Sequence, residues 1–123
     1  MSEHPNATIV REMSEAMASG DKEGAASRVA DDIVWHQIGA APVRGKAALA
    51  ASMGGLADYD IKWETHDLLA SDDHVIGLGT ATATKAGASL TYRTAEIYHV
   101  KNGQVTERWA FSDDTKAITD FFG

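Results

Sequence analysis

The stretch ADDIVWHQIG, Ala30 to Gly39, sets an aromatic ring, an imidazole and an amide side by side as Trp35, His36 and Gln37. Along an extended strand, alternation sends Ile33, Trp35 and Gln37 to one face and Val34 and His36 to the other. An inward indole is either a core aromatic or a stacking surface for a flat ligand. His36 is the neighbour whose residue type exchanges a proton near neutrality, which makes it a candidate acid or base. A second group of chemical interest is the run EIYHVKNGQVTERWAF, Glu96 to Phe111, which has a turn at its middle and a carboxylate and a guanidinium on either side. If KNG is a three-residue loop with Gly103 in the left-handed bulge position, Val100 pairs with Gln104 and Glu96 faces Arg108. If Asn102-Gly103 is a two-residue type I′ turn, Glu96 faces Trp109 instead. In the first register the pair is either a solvated cross-strand ion pair or an acid/base group beside its electrostatic partner.

Other suggestive patterns have plainer readings. The doublets Asp31-Asp32, Asp72-Asp73 and Asp113-Asp114 sit among turn residues, where Asp caps backbone amides, and no histidine or carboxylate spacing aims several ligands at one centre. No metal site is expected. GLGTAT, Gly77 to Thr82, lies inside a strand-like run and opens no helix, so its glycines are expected to let a sheet bend rather than to hold phosphate. The 123 residues carry 11 Lys plus Arg against 18 Asp plus Glu, a net charge of −7, which offers no basic field for nucleic acid or anionic lipid. With no cysteine, thiol chemistry, disulfides and cysteine-held zinc are excluded. The first ten residues, MSEHPNATIV, lack a signal-peptide pattern, and no run reaches membrane-spanning length. A soluble, cytoplasmic chain forming one domain over residues 1–123 is expected.

The elements that must position these residues follow from periodicity. Ile9, Val10, Met13, Ala16 and Met17 recur at helical steps between Asn6 and Ser19, with Gly20 as the left-handed stop. Asp21 then caps a shorter helix expected to reach Ala30. A strand through ADDIVWHQIG, a loop at AAPVRG and a third helix over KAALAASMGGLAD come next. From Tyr59 the period becomes two: Tyr59, Ile61, Trp63 and Thr65 alternate with charged residues, and three further strands span His74 to Lys85, Ala88 to Val100 and Gln104 to Phe111. A last short helix begins at Asp113 or Asp114 and returns Ile118, Phe121 and Phe122 to the sheet. Helices followed by long hairpin strands define an α+β domain: a curved antiparallel sheet wrapped into a cone around N-terminal helices.

On ASGD, ADDIVWHQIG, VRGKAAL and IYHVKNGQVTERWAFSDD, in this order over nearly the whole chain, the sequence resembles the NTF2-like superfamily, the cystatin-like α+β roll shared by ketosteroid isomerases and SnoaL-type cyclases. The resemblance implies that Met13, Trp35, Gln37, Trp63, Tyr92, Thr94, Tyr98 and Ala110 line a mostly apolar pocket inside the cone, and that Glu96 and Arg108 share its wall. It also favours the register that sets Glu96 opposite Arg108. Gln37 stands where the isomerases carry their general base, Met13 where they carry an oxyanion tyrosine, and Ala110 where the cyclases carry an aspartate. An amide cannot abstract a proton, so neither family reaction is expected in its usual form. The implied function is binding of a small apolar organic molecule. The alternative is a cofactor-independent isomerase, cyclase or hydratase in which Glu96, kept ionised by its guanidinium neighbour, is the acid/base, with Arg108 as stabiliser and His36 as a further candidate. No cofactor is expected. Ala95, Ile97, Val105, Trp109 and Phe111 would form an apolar patch on the opposite sheet face, and a homodimer through it is expected.

Overall fold

The structure is a computed structural model that describes residues 3–56 and 58–122. Helix α1, Pro5–Ser19, starts at a proline whose missing amide costs nothing there, and buries Ala7, Val10, Met13 and Ala16. Gly20, at φ 78°, closes it in the left-handed conformation. The Asp21 carboxylate accepts the Gly24 amide at 2.9 Å to open α2, Lys22–Ser27. This helix stops short of the expected Ala30, because Val29 and Ala30 are already buried in strand β1, Val29–Trp35. Tertiary burial outweighs helix propensity over these two residues.

The AAPVRG segment holds a two-residue strand, β2, Val43–Arg44, which pairs antiparallel with the end of β1. Helix α3 spans Lys46–Gly54 and ends at its glycines rather than continuing to Asp58; Ala57 of the expected helix lies outside the described residues. Then come β3 Asp60–Ala70, β4 His74–Lys85, β5 Ala88–Lys101, β6 Gln104–Ser112 and α4 Thr115–Phe122. Asp114 is the cap of α4, its carboxylate accepting the Ala117 amide at 3.0 Å. Of the aspartate doublets, Asp31-Asp32 departs from the turn expectation by lying exposed within β1.

The six strands form one sheet in the order β2-β1-β6-β5-β4-β3. Strands β3 to β6 are antiparallel neighbours, whereas β1 runs parallel to β6, so the sheet is not antiparallel throughout. The long path from β1 through α3 and three hairpin strands supplies the crossover that a parallel pair requires.

Neither expected register of the last hairpin is the observed one. Asn102 and Gly103 both have positive φ, 54° and 77°, and Lys101 pairs with Gln104, so the turn has two residues. Val100 then pairs with Val105, but His99 pairs with Glu107, leaving Thr106 as a one-residue bulge. The Thr106 hydroxyl donates to the His99 carbonyl at 3.2 Å. Glu96 consequently lies opposite Ala110, and Arg108 opposite Tyr98. The bulge also turns Val105 inward to complete burial, which removes it from the expected outer patch.

On the concave side, helix α1 delivers Val10 and Met13 to a core formed with Val29, Ile33, Trp35, Leu49, Val75, Tyr98, Val100 and Val105. Beyond Val75 the inward positions of β4 are small: Gly77, Gly79, Ala81 and Ala83. Gly79 is small for a specific reason, since a Cβ there would stand 2.5 Å from Trp63 Cζ2 and 2.8 Å from the Glu64 carbonyl. The glycine receives the indole of the neighbouring strand. On the convex side the cross-strand rows are His74-His99-Glu107, then Ile76-Ile97-Trp109, then Leu78-Ala95-Phe111. Leu69, Ile76, Leu78 and Phe111 are exposed there. Among the described residues no helix is long and apolar enough to cross a membrane.

Candidate functional site

Strand β5 presents Tyr92, Thr94, Glu96 and Tyr98 to the concave side at alternate positions. Glu96 and Arg108 meet diagonally across the β5–β6 ladder, with side chains only 10% and 12% exposed. Arg108 Nε donates to Glu96 Oε1 at 3.0 Å, Arg108 Nη2 donates to the same oxygen, and the Tyr98 hydroxyl adds a third bond at 3.2 Å. All three donors converge on Oε1. Among the described residues Oε2 receives none, so one carboxylate oxygen is anchored and the other is left for another partner.

Arg108 is held on its remaining sides too. Its guanidinium lies over the Trp35 ring at 4.4 Å from the centroid, and Nη1 donates to the His36 carbonyl at 3.0 Å. A planar cation fixed by ion pair, carbonyl and aromatic face keeps one orientation. Burial pushes the Tyr98 phenol well above its ordinary range, with the Glu96 carboxylate adding in the same direction, so Tyr98 remains a neutral donor. Tyr92 is raised for the same first reason, burial, and again by Glu96.

The other residues expected in the site are distributed around this pair. Thr94 is 8% exposed and its hydroxyl oxygen has no hydrogen-bond partner among the described residues. Ala110 faces Glu96 across the ladder and leaves space where a larger side chain would contact the carboxylate. Trp35 meets Tyr98 edge to face with centroids 6.5 Å apart. The Gln37 amide donates to Ser52 Oγ of α3 at 3.2 Å, and Trp63 lies across Gly79 while its indole N–H donates to Thr65 at 2.9 Å. Met13 is fully buried against the core.

His36 does not join the group. Its main chain borders the site, but its ring stacks on Trp109 of the convex face, with centroids 5.5 Å apart and planes 8° from parallel. Nε2 lies 2.7 Å from Glu107 Oε2. Sequence reasoning misses Glu107, because the parallel pairing that sets β6 beside the end of β1, with Val34 opposite Glu107, has no local sequence signal. Two concavities lie outside the cone: one of about 360 Å³ on the convex face, lined by His66, Leu78, Ala95 and Phe111 among others, and one of about 410 Å³ near Asn6, Asp72 and His99. Among the described residues no three His, Asp or Glu side chains group as metal ligands would.

A six-stranded sheet coiled around its N-terminal helices, with an ion pair and two phenols on the inner wall, defines a cone-shaped α+β domain of the NTF2-like, cystatin-like class. The SnoaL-like domain family matches residues 10–108, and the chain belongs to that family. It is similar to Bal32a from a soil-derived mobile gene cassette, 28% identical with TM-score 0.90, over 97% of each chain. An NTF2-like protein from Burkholderia xenovorans LB400 is 27% identical with TM-score 0.86, covering 100% of this chain and 99% of that one. An LEH-like epoxide hydrolase from M. tuberculosis shares the fold at 16% identity and TM-score 0.82, over 94% of this chain and 87% of its own. No curated protein matches the sequence.

Proposed function

We propose that the chain binds a small, apolar, oxygen-bearing organic molecule against the inner wall of the cone, and that Glu96 acts there as a general base with Arg108 and Tyr98 as electrostatic stabilisers. The observation that carries this reading is the single-oxygen anchoring of Glu96: Oε1 takes every donor and Oε2 takes none. A base must be held in place by one atom while presenting another to the proton it removes. Arg108, fixed on three sides, is preorganised to stabilise negative charge developing beside it. The surrounding Trp35, Trp63, Tyr92 and Tyr98 favour flat or alicyclic compounds over sugars and nucleotides. That an LEH-like epoxide hydrolase shares this frame is consistent with the enzymatic reading, although a frame alone does not choose a reaction.

The test is a tryptophan-fluorescence screen of apolar ketones, phenols and epoxides, with every hit assayed for turnover on the wild type and on Glu96→Gln. Hits are expected to be uncharged, and the glutamine variant is expected to keep affinity within a few-fold while losing turnover. A screen in which only charged or phosphorylated compounds bind overturns the binding reading. Full activity in Glu96→Gln overturns the base.

A further inference from the structure

The residue that touches both sides of the sheet is His36. On the inside, its peptide is tied twice to Arg108: the His36 amide donates to the Arg108 carbonyl at 2.8 Å, and Arg108 Nη1 donates to the His36 carbonyl at 3.0 Å. On the outside, its ring is fixed by the Glu107 carboxylate and the face of Trp109. Glu107 and Trp109 are the residues immediately before and after Arg108. The imidazole therefore grips the same three-residue segment whose middle side chain reaches inward to Glu96.

We propose that His36 is a positioning residue for the Arg108–Glu96 pair, setting the guanidinium from outside the cone and doing so more tightly when its ring carries a proton. The inference rests on the reading of Glu96 and Arg108 as the inner site. A carboxylate only accepts, so Nε2 is the donating nitrogen in the neutral ring. Protonation turns that contact from a bond to one charged partner into an ion pair between two, which is stronger and holds β1 to β6 more firmly at the point where Arg108 leaves the sheet. The charged and titratable groups on the same face of the strands packed beside the ring are Glu107 on β6, Arg44 on β2 opposite Val34, and His99 on β5, which pairs with Glu107 and stacks on His74 of β4. Glu107 is the group in direct contact. Imidazole is the side chain whose charge responds to pH near neutrality, so the inner pair inherits a pH response from a residue that never meets the ligand.

The Arg108 Nε–H resonance in a ¹H–¹⁵N spectrum of the ligand-free protein reads this directly, because Nε is one of the two guanidinium nitrogens that donate to Glu96. In the wild type it is expected to move in one step through the histidine range, with the midpoint of the His36 ring signals. His36→Phe keeps a ring on Trp109 and loses the bond to Glu107, so the step should vanish; His36→Gln serves if the phenylalanine variant misfolds, and should abolish it equally. A step that survives both variants arises elsewhere than His36 and overturns the proposal, as does a wild-type resonance that stays still while the His36 ring titrates. Glu96→Gln separates the two levels of inference. It should displace the Arg108 Nε–H signal at every pH; if it does not, the inner pair itself is wrong and the proposed function falls with it. If it does, and no His36-linked step is found, only the role of His36 is lost.

Discussion

Arg108→Met asks how dry the inner wall is. Methionine keeps an aliphatic stem against Trp35 but strips two of the three donors from Glu96 Oε1, leaving the Tyr98 hydroxyl alone. Both side chains of the pair are about nine-tenths buried. Removing one partner of a buried pair leaves an uncompensated charge and costs about 3–5 kcal/mol. At roughly 3–4 °C per kcal/mol for a chain of this size, the midpoint should drop by about 10–20 °C. The double variant Glu96→Met/Arg108→Met removes the charge as well as its partner, so it should recover most of that loss. Urea unfolding at pH 7 of the wild type, Arg108→Met, Glu96→Met and the double variant, followed by circular dichroism and by tryptophan emission, measures the four free energies of the cycle. If Arg108→Met costs less than about 1 kcal/mol, the pair behaves as a solvated surface pair and the wall is wet. If the double variant loses the sum of the single losses, the two groups are not coupled. Either outcome refutes the buried anchoring on which the site is built.

Gly79→Ala pushes a methyl group into the space of the Trp63 indole and the Glu64 carbonyl; it should cost about 1–3 kcal/mol and alter near-ultraviolet dichroism, and a neutral result would mean that the indole lies elsewhere. Tyr98 ionises less readily folded than unfolded, so its contribution is complete below about pH 10, the ordinary phenol value, and fades as pH rises through the folded value. Melting temperatures from pH 9 to 11 should therefore fall in the wild type and fall less steeply in Tyr98→Phe, and equal slopes would contradict the burial of the phenol. The exposed rows Ile76-Ile97-Trp109 and Leu78-Ala95-Phe111 should join two copies face to face. Sedimentation at micromolar concentration should give twice 13.1 kDa, with Phe111→Glu weakening it, and a clean 13.1 kDa wild-type species removes the dimer.

The residues alone announced the local features and not the distant ones. Helix α1 was legible to within a residue because its apolar stripe ends at a glycine that can adopt φ 78°. The turn at Asn102-Gly103 was legible as one of two choices, since both residues tolerate positive φ. The bulge at Thr106 has no local mark: a threonine between a valine and a glutamate reads as uninterrupted strand. Because the face of the residues before it depends on it, Val105 is expected outside and lies inside. Alternation sent His36 to the face opposite Trp35, and that is where its ring lies, but its partners are set by a parallel pairing with β6 that no short-range pattern encodes. Glu96 and Arg108 could be listed as neighbours from the sequence. That two guanidinium donors and the Tyr98 hydroxyl meet on one oxygen is a property of the diagonal register.

The extra residue at Thr106 makes the inner wall a matter of parity. Strand positions come in two alternating sets, and the count of residues after the turn decides which set looks inward. With Thr106 present, Arg108 and Ala110 belong to the inner set and Glu107, Trp109 and Phe111 to the outer. A single-codon deletion in this hairpin would exchange the two sets at once, turning an acid and two large aromatics into the cone and the guanidinium out of it. No single point substitution makes that exchange.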